Sequence, residues 1–158
     1  MTSAIVFNNV SMRFDGFLAL KDVSLNVAAG EYAVLLGPSG CGKSTLLSIL
    51  GGFLTPTNGS VSLGGQDVTL VPAAKRATTT MFQDYALFPH MTLTDNVAFG
   101  LRMRGIKTAL RKTRAADMLA LVGLPDAGGK RPHELSGGQR QRVALARALV
   151  VEPEALLL

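Results

Sequence analysis

The chain has 158 residues, long enough for one domain with a sizeable hydrophobic core. The composition excludes a disordered chain and favours a folded α/β protein: 47% of the residues are hydrophobic, 17% are charged and 17 are glycines. The net charge is +5. We expect no membrane-spanning helix, no secretory signal and, with a single cysteine, no internal disulfide, so the cytoplasm is the expected compartment.

Three segments in the first half of the chain have the patterns of β-strands. Residues 23–27 (VSLNV) and 60–63 (SVSL) alternate apolar and polar side chains, which is typical of strands with one buried face. Turn-forming residues flank the second segment, so we expect a small antiparallel sheet beside the core. The run Tyr32–Leu36 (YAVLL) is apolar throughout and predicts a strand buried on both faces.

The next segment, LLGPSGCGKST, fits the spacing G-x-x-x-x-G-K-[ST] of a phosphate-binding loop. Glycines let the backbone wrap closely around a phosphate, and a helix that starts near Gly42 directs the positive end of its dipole at the same anion. Lys43 would reach the outer phosphates, and the Ser44 hydroxyl would bind Mg²⁺. We therefore predict that nine residues bind a nucleoside triphosphate: Gly37, Pro38, Ser39, Gly40, Cys41, Gly42, Lys43, Ser44 and Thr45.

Two other interpretations of this segment carry less weight. The glycines could form a merely structural turn, but at average residue frequencies the pattern arises by chance in fewer than about one in a hundred chains of this length. Cys41 could be a reactive thiol beside a helix N-terminus, whereas a small residue whose backbone N–H matters is the favoured interpretation. Apolar residues then anchor the following helix to the core: Leu46, Leu47, Ile49 and Leu50.

After the middle of the chain the periodicity becomes helical. Residues 93–103 (LTDNVAFGLRM) and 113–124 (TRAADMLALVGL) carry apolar side chains three and four positions apart. We expect Thr94 to cap the first helix, and Gly123 with a nearby proline to end the second. The basic run 102–114 could bind nucleic acid or an anionic membrane surface, but its interleaved apolar residues favour a solvated helix face.

The segment HELSGGQRQRVALARALV contains a second candidate anion site. Ser136 is placed to cap a helix, and the two glycines after it expose backbone N–H groups at the helix N-terminus. Val143, Ala146 and Leu149 form an apolar stripe behind them. Pro153 ends the helix. The run LSGGQ resembles the signature of the ATP-binding cassette (ABC) ATPases.

The resemblance extends from about Ile5 to Leu158 and implies ATP and Mg²⁺ as cofactors. It also implies an α/β P-loop NTPase (ABC ATPase) core with an antiparallel β subdomain and a helical signature subdomain. We accordingly expect a partial, C-terminally incomplete nucleotide-binding domain: a β and P-loop core over about 1–86, the signature subdomain over about 87–150, and the start of the Walker B strand at 151–158.

The resemblance further implies a head-to-tail homodimer, because in this family the signature of one subunit closes over the nucleotide held by another. ATP binding then closes the dimer and hydrolysis reopens it. The residues implied to contact the partner's nucleotide are Leu135, Ser136, Gly137, Gly138 and Gln139.

Two further residues match functional positions of the family. Phe14 matches the position where the family stacks an aromatic ring on adenine, although a core phenylalanine is an equally good interpretation. Gln83, within FQDYALFPHMT, matches the glutamine of the family's Q-loop. The resemblance implies that Gln83 has the catalytic role of contacting Mg²⁺ and the attacking water, and that its loop relays the nucleotide state to membrane subunits.

The last residues, Ala155–Leu158, resemble the hydrophobic strand that in this family immediately precedes an aspartate and a glutamate. The aspartate positions Mg²⁺ through water, and the glutamate is the general base that activates the attacking water. Neither acidic residue follows in this chain. We therefore expect the 158 residues to bind nucleotide weakly and not to hydrolyse it at a physiological rate.

Within the family, the runs GPSGCGKSTLL and FQDYALFPHMTLTDNVAFGLRMRG are most similar to ATPase subunits of bacterial importers, with the spermidine/putrescine type nearest and the sulfate, iron(III) and sugar types sharing much of the pattern. This implies an energy-coupling subunit on the cytoplasmic face of the inner membrane. Its expected partners are membrane permease subunits, a second ATPase subunit and, indirectly, a solute-binding protein, with no nucleic acid. The alternatives are a soluble ABC ATPase outside transport, and a non-catalytic truncated nucleotide-binding fragment.

Overall fold

The computed structural model describes residues 3–82 and 84–158. The chain divides into two compact units, one formed by residues 1–78 with Leu157 and the other by residues 79–156 with Leu158. A division between a β-rich and a helical part near residue 86 stays a prediction. Both strands and helices are present, as the α/β class requires.

An antiparallel sheet of four strands, in the order β2–β1–β3–β4, forms much of the first unit. The central strand β1 (Ile5–Phe14) pairs with β2 (Phe17–Val27) on one side and with β3 (Asn58–Leu63) on the other. The short β4 (Gln66–Asp67) extends the sheet from β3. The two alternating segments thus lie in β2 and β3, which confirms the predicted antiparallel sheet.

A tight turn joins β1 to β2 and fixes two aromatic residues side by side. Asp15 and Gly16 both adopt positive φ angles, of 38° and 92°. An Asp-Gly pair in this conformation suits the twist of a two-residue hairpin. The register places Phe14 directly opposite Phe17 at the end of the ladder.

The first helix, α1 (Lys43–Gly51), follows the glycine-rich segment as the motif predicts. Leu46, Ile49 and Leu50 are buried in the core of the first unit, so the predicted apolar anchor is confirmed for these residues. The helix ends at Gly52, whose φ of 78° is left-handed and whose N–H group bonds back to the carbonyls of the last turn.

The expectation of a buried strand at Tyr32–Leu36 is wrong. The segment has no regular secondary structure, and the side chains of Tyr32 and Leu36 are 82% and 89% exposed. A strand needs a neighbouring strand to bond its N–H and C=O groups. Among the described residues no strand pairs with this segment, so hydrophobicity alone does not make it a strand.

Three helices build the second unit: α2 (Leu93–Met103), α3 (Thr108–Leu121) and α4 (Gly137–Leu149). A two-stranded sheet pairs β5 (Thr78–Thr80) with β6 (Ala155–Leu157). Among the described residues, no helix has the length and apolarity to cross a bilayer. Buried side chains from the three helices and their connections form one core: Leu93, Val97, Ala98, Leu101, Ala115, Leu119, Leu124, Ala127, Leu135, Val143, Ala146 and Val150.

Two helix starts differ from the sequence-based expectation. The N-cap of α2 is Thr92, whose Oγ1 accepts a bond from the Asp95 N–H at 3.1 Å. Thr94 is not the cap; its hydroxyl donates to the Gly128 carbonyl instead. Helix α3 begins at Thr108, five residues before the predicted segment. Residues 108–110 and Lys112 are exposed, so the start of the helix has no buried apolar face that the sequence pattern could show.

Candidate functional site

The predicted phosphate loop, residues 37–45, folds back on the ammonium group of Lys43. Lys43 Nζ donates to the carbonyl oxygens of Gly37 at 2.7 Å and Pro38 at 2.8 Å. A turn bond from the Cys41 N–H to the Pro38 carbonyl, at 3.4 Å, closes the loop further. The loop therefore surrounds a positive charge and presents it together with the start of α1.

The N-terminus of α1 has the features of an anion site. Its N-cap, Gly42, has no side chain to bond the first N–H groups, and the first turn contains no acidic residue. The first N–H groups of a helix have no partner within the helix, and the helix dipole adds positive charge there. Residues 43–45 thus direct polar hydrogens at an approaching anion.

Only glycine fits at position 42. Its φ of 93° is left-handed, and a Cβ there would lie 2.5 Å from Leu20 Cδ2 and 2.8 Å from the Ala19 carbonyl oxygen. The neighbouring β2 strand therefore approaches the loop too closely for a side chain. The absent side chain keeps the helix start open to an approaching anion.

A cleft of about 450 Å³ opens beside this helix start. Phe14 and Phe17, from the β1–β2 hairpin, form its aromatic wall, and their side chains are 39% and 65% exposed. The two exposed aromatic rings offer a flat apolar face, and the loop beside them offers a positive charge and polar hydrogens. The cleft therefore suits a ligand in which a flat ring is joined to an anionic group. The other lining residues are Ala19, Ser39, Gly40, Gly42, Lys43, Ser44 and Thr45.

The structure brings Phe14 to the same cleft as the loop, so it is not a core phenylalanine. Phe17 was missed by the sequence reasoning, although a signal existed. The Asp15-Gly16 pair is a hairpin-turn dipeptide, and a two-residue hairpin places the residues on either side of it opposite each other.

Of the two predicted magnesium ligands, Ser44 and Gln83, the structure describes only Ser44. Ser44 lines the cleft next to Lys43, and its hydroxyl is the kind of oxygen ligand that Mg²⁺ accepts. Gln83 lies outside the described residues. Cys41 is exposed, and its Sγ accepts a weak bond from Lys43 Nζ at 3.5 Å.

The predicted signature residues begin α4 in the second unit. Ser136 Oγ accepts from the Gln139 N–H at 3.3 Å, and Gln139 Oε1 accepts from the Ser136 N–H at 2.9 Å, so the two form a capping box. Gly137 and Gly138 are exposed, with open space where a Cβ would be. The Leu135 side chain is buried in the helical core and anchors the start of the helix. The first turn again contains no acidic residue.

Comparisons with known proteins identify a matching sequence family and a similar solved fold. Residues 20–158 match the sequence model of the ABC transporter family. The solved structure of a dimeric post-hydrolysis state of the ATP-binding cassette MJ0796, bound to ADP and Pi, superposes with a TM-score of 0.83 at 32% identity, over 96% of this chain and 72% of that chain.

Curated relatives come from bacterial importers. The chain is 52% identical to the Fe(3+) ions import ATP-binding protein FbpC 1 of Rhizobium meliloti (strain 1021), over 98% of this chain and 44% of the relative. It is 51% identical to the spermidine/putrescine import ATP-binding protein PotA of Protochlamydia amoebophila (strain UWE25), over 100% of this chain and 42% of the relative. The chain thus spans less than half the length of these relatives.

Proposed function

Because the chain belongs to the ABC transporter family, we propose that the full-length protein is the ATP-binding and ATP-hydrolysing subunit of a bacterial importer. The observation that carries this proposal is the cleft in which the phosphate loop 37–45 meets the exposed pair Phe14 and Phe17. A nucleoside triphosphate has the matching chemistry, a flat purine ring joined to a chain of anions.

The phosphate loop is proposed to bind the β- and γ-phosphates of ATP. Lys43 exchanges its carbonyl partners for phosphate oxygens, which are stronger partners because they carry a full charge. The N–H groups of residues 43–45 donate to the same oxygens. The Ser44 hydroxyl would hold Mg²⁺, and the metal would supply positive charge to neutralise the phosphates. Gln83 is proposed, from the family resemblance, to contact the metal and the attacking water.

The aromatic pair is proposed to hold the adenine. A ring stacked on a base contributes about 1–3 kcal/mol, and the hairpin fixes both rings at the mouth of the cleft before the nucleotide arrives. Because stacking does not depend on hydrogen bonds to the base edge, this wall accepts any purine and supplies affinity rather than strict base choice.

The start of α4 is proposed to complete the site of a partner subunit. Residues 136–139 present an exposed, capped helix N-terminus with no acidic side chain in its first turn. A second copy of the chain, related by two-fold symmetry, would place this helix start against the partner's nucleotide. The related cassette MJ0796, solved as a dimer with ADP and Pi, supports that assembly.

The proposed partners are membrane permease subunits, which the protein would bind at the cytoplasmic face of the inner membrane, and, indirectly, a solute-binding protein. The relatives supply ATP-binding subunits for iron(III) and for spermidine/putrescine import at nearly equal identity. We keep the polyamine as the proposed solute, with iron(III) as the second candidate. To decide between them, a strain that lacks the gene is complemented with the wild-type gene or with the Lys43→Ala variant, and its uptake of labelled putrescine and of labelled ferric iron is measured.

Binding of MgATP to the purified full-length protein tests the site itself. Lys43→Ala is expected to weaken binding by about tenfold or more, since a hydrogen bond to a charged group contributes about 1.5–3 kcal/mol. Lys75→Ala, an exposed lysine in the same unit, is the matched control and should bind as the wild type does. Equal affinities for wild type and Lys43→Ala would refute the assignment of the loop.

The aromatic wall is tested separately with inorganic tripolyphosphate. Phe14→Ala and Phe17→Ala are each expected to weaken ATP binding by about five- to a hundredfold while leaving tripolyphosphate binding unchanged. Leu18→Ala, the next residue along β2, is the control for a general effect on the hairpin. Parallel losses of both ligands would mean that the rings support the loop and do not contact the base.

A further inference from the structure

Arg147, on α4, bonds to two successive backbone carbonyls in the second unit. Its Nη1 donates to the Ala86 oxygen at 2.6 Å and its Nη2 to the Tyr85 oxygen at 2.8 Å. The guanidinium also lies over the Phe88 ring, 5.8 Å from the centroid. Burial lowers the pKa of Arg147, and the nearby Asp84 carboxylate opposes that shift. The group nevertheless keeps its charge at neutral pH.

The two residues that Arg147 holds have an unfavourable backbone conformation. Tyr85 has a φ of 62° and Ala86 a φ of 42°, both in the left-handed region. Residues with a Cβ rarely adopt this region, because the Cβ crowds the following carbonyl. Two such residues in succession persist only when surrounding contacts stabilise them. The forked guanidinium supplies such contacts to both carbonyls.

The chain beyond these residues is fixed independently. Asn96, fully buried on α2, accepts a bond from the Phe88 N–H at 2.8 Å through its Oδ1. Its Nδ2 donates to the carbonyls of Phe88, Met91 and Thr92. The backbone of residue 88 is thus bonded to α2, whereas the carbonyls of Tyr85 and Ala86 are bonded to α4, although the Phe88 ring also lies against the Arg147 guanidinium. A change at Arg147 can therefore release residues 85 and 86 without releasing the backbone of residue 88.

We propose that Arg147 is a positioning residue for ATP hydrolysis, which holds Tyr85 and Ala86 in the left-handed conformation and so links the signature helix α4 to the segment that follows Gln83. This rests on the proposed function, because Tyr85 and Ala86 follow Gln83 in sequence by two and three positions. The phosphate loop lies in the other unit. Among the described residues the two bonds of Arg147 go to Tyr85 and Ala86 and not to the phosphate loop, so loss of these paired bonds is expected to lower kcat for ATP and to leave KM unchanged.

The test uses the full-length protein in complex with its permease subunits. Arg147→Lys keeps the charge and removes the fork, and it is expected to lower kcat about tenfold, by analogy with the loss of one charge-assisted bond, with KM within about twofold. Arg142→Lys is the matched control: Arg142 is on the same helix, is exposed, and donates to the Val122 carbonyl at 3.2 Å. It should retain the wild-type kcat.

A second substitution distinguishes positioning from general support of the fold. Glycine adopts the left-handed region at little cost, so Ala86→Gly in the Arg147→Lys protein is expected to restore kcat to within about threefold of the wild type. Glycine would not repair a helix that had merely lost a packing contact. An unchanged kcat in Arg147→Lys, or the absence of rescue by Ala86→Gly, overturns the proposal.

Hydrogen exchange separates this proposal from the proposed function. In Arg147→Lys the Tyr85 amide, which donates to the Phe82 carbonyl at 2.9 Å, is expected to exchange about tenfold faster. The Phe88 amide, held by Asn96, should be unchanged. If the wild-type complex hydrolyses no ATP, the proposed function fails. The exchange rates of the Tyr85 and Phe88 amides then still show whether Arg147 holds residues 85 and 86. Equal acceleration of both amides would refute that role.

Discussion

Replacing Arg76 by methionine would measure how the end of α1 is held in the first unit. Arg76 is buried, at 6% exposure, and its four bonds among the described residues all go to backbone carbonyls. Its Nη1 bonds to Ile49 at 2.5 Å and to Leu50 at 2.8 Å, both in the last turn of the helix. Methionine keeps much of the aliphatic volume and removes the five donors.

The expected cost follows from what each carbonyl loses. Val71 and Thr69 accept the other two bonds, and both residues are half-buried, so water can replace the guanidinium there. Ile49 O keeps a bond from the Gly52 N–H at 3.1 Å. Leu50 is buried, so its carbonyl loses a donor that water replaces poorly, at about 1–3 kcal/mol.

A second contribution comes from the charge itself. A cation at the C-terminus of a helix stabilises it by about 0.3–1 kcal/mol, and by up to about 2 kcal/mol when partly buried. Burial lowers the pKa of Arg76, and the Asp67 carboxylate opposes that shift. Since the group remains charged at neutral pH, we expect a total loss of about 2–4 kcal/mol.

Native-state hydrogen exchange of the full-length protein is the assay. The amides of α1 should exchange about thirty- to a thousandfold faster in Arg76→Met, because each 1.4 kcal/mol is a factor of ten. Lys75→Met, one residue earlier and exposed, should change them by less than about threefold. If the two variants behave alike, the four carbonyl bonds do not stabilise the helix end and the reasoning is wrong.

Three further predictions concern stability. Asn96→Ala should lower the free energy of unfolding by about 2–4 kcal/mol, measured by urea denaturation, because the half-buried Phe88 N–H loses its acceptor and three carbonyls lose the donor from the fully buried Asn96. Ser136→Ala should cost about 1 kcal/mol in the same assay, and Ser136→Thr, which keeps the capping oxygen, markedly less. Bonds from the side chain and backbone of Thr69 lower the pKa of Asp67 below its ordinary 3.8, so its stabilisation is complete above that pH and is lost as the pH falls through the lowered value. Asp67→Asn should therefore flatten the fall in stability below about pH 4, as followed by thermal unfolding against pH.

Local signals predicted the glycine turn at residue 42 and the starts of helices α1 and α4. Position 42 requires glycine because of its left-handed φ and the close approach of Leu20, and the loop motif specifies glycine at this position. Ser136 and Gln139 lie three residues apart, which is the sequence form of a capping box. In each case both partners lie within a few residues of each other, so the pattern contains the whole interaction.

The wrong predictions involve partners that are distant in the chain. Tyr32–Leu36 has the composition of a buried strand, but strand formation depends on a neighbour that the segment itself does not specify. Thr94 was a reasonable cap by residue type, yet Thr92 took that role because the Gly128 carbonyl accepts the Thr94 hydroxyl. The competitor lies 34 positions away.

Arg76 and Arg147 show why some determinants of a site leave no trace in the sequence pattern. Each guanidinium is bonded to main-chain carbonyls far along the chain, 26 residues away for Leu50 and 61 for Ala86. A carboxylate partner would be a recognisable residue type at some position, whereas every residue has a carbonyl, so the acceptor cannot be identified from composition or spacing. The positive φ values of Tyr85 and Ala86 cannot be predicted from the sequence either, since neither residue is glycine, the residue type that favours them. The contacts that hold the end of α1 and the segment after Gln83 therefore become visible only once the backbone is placed.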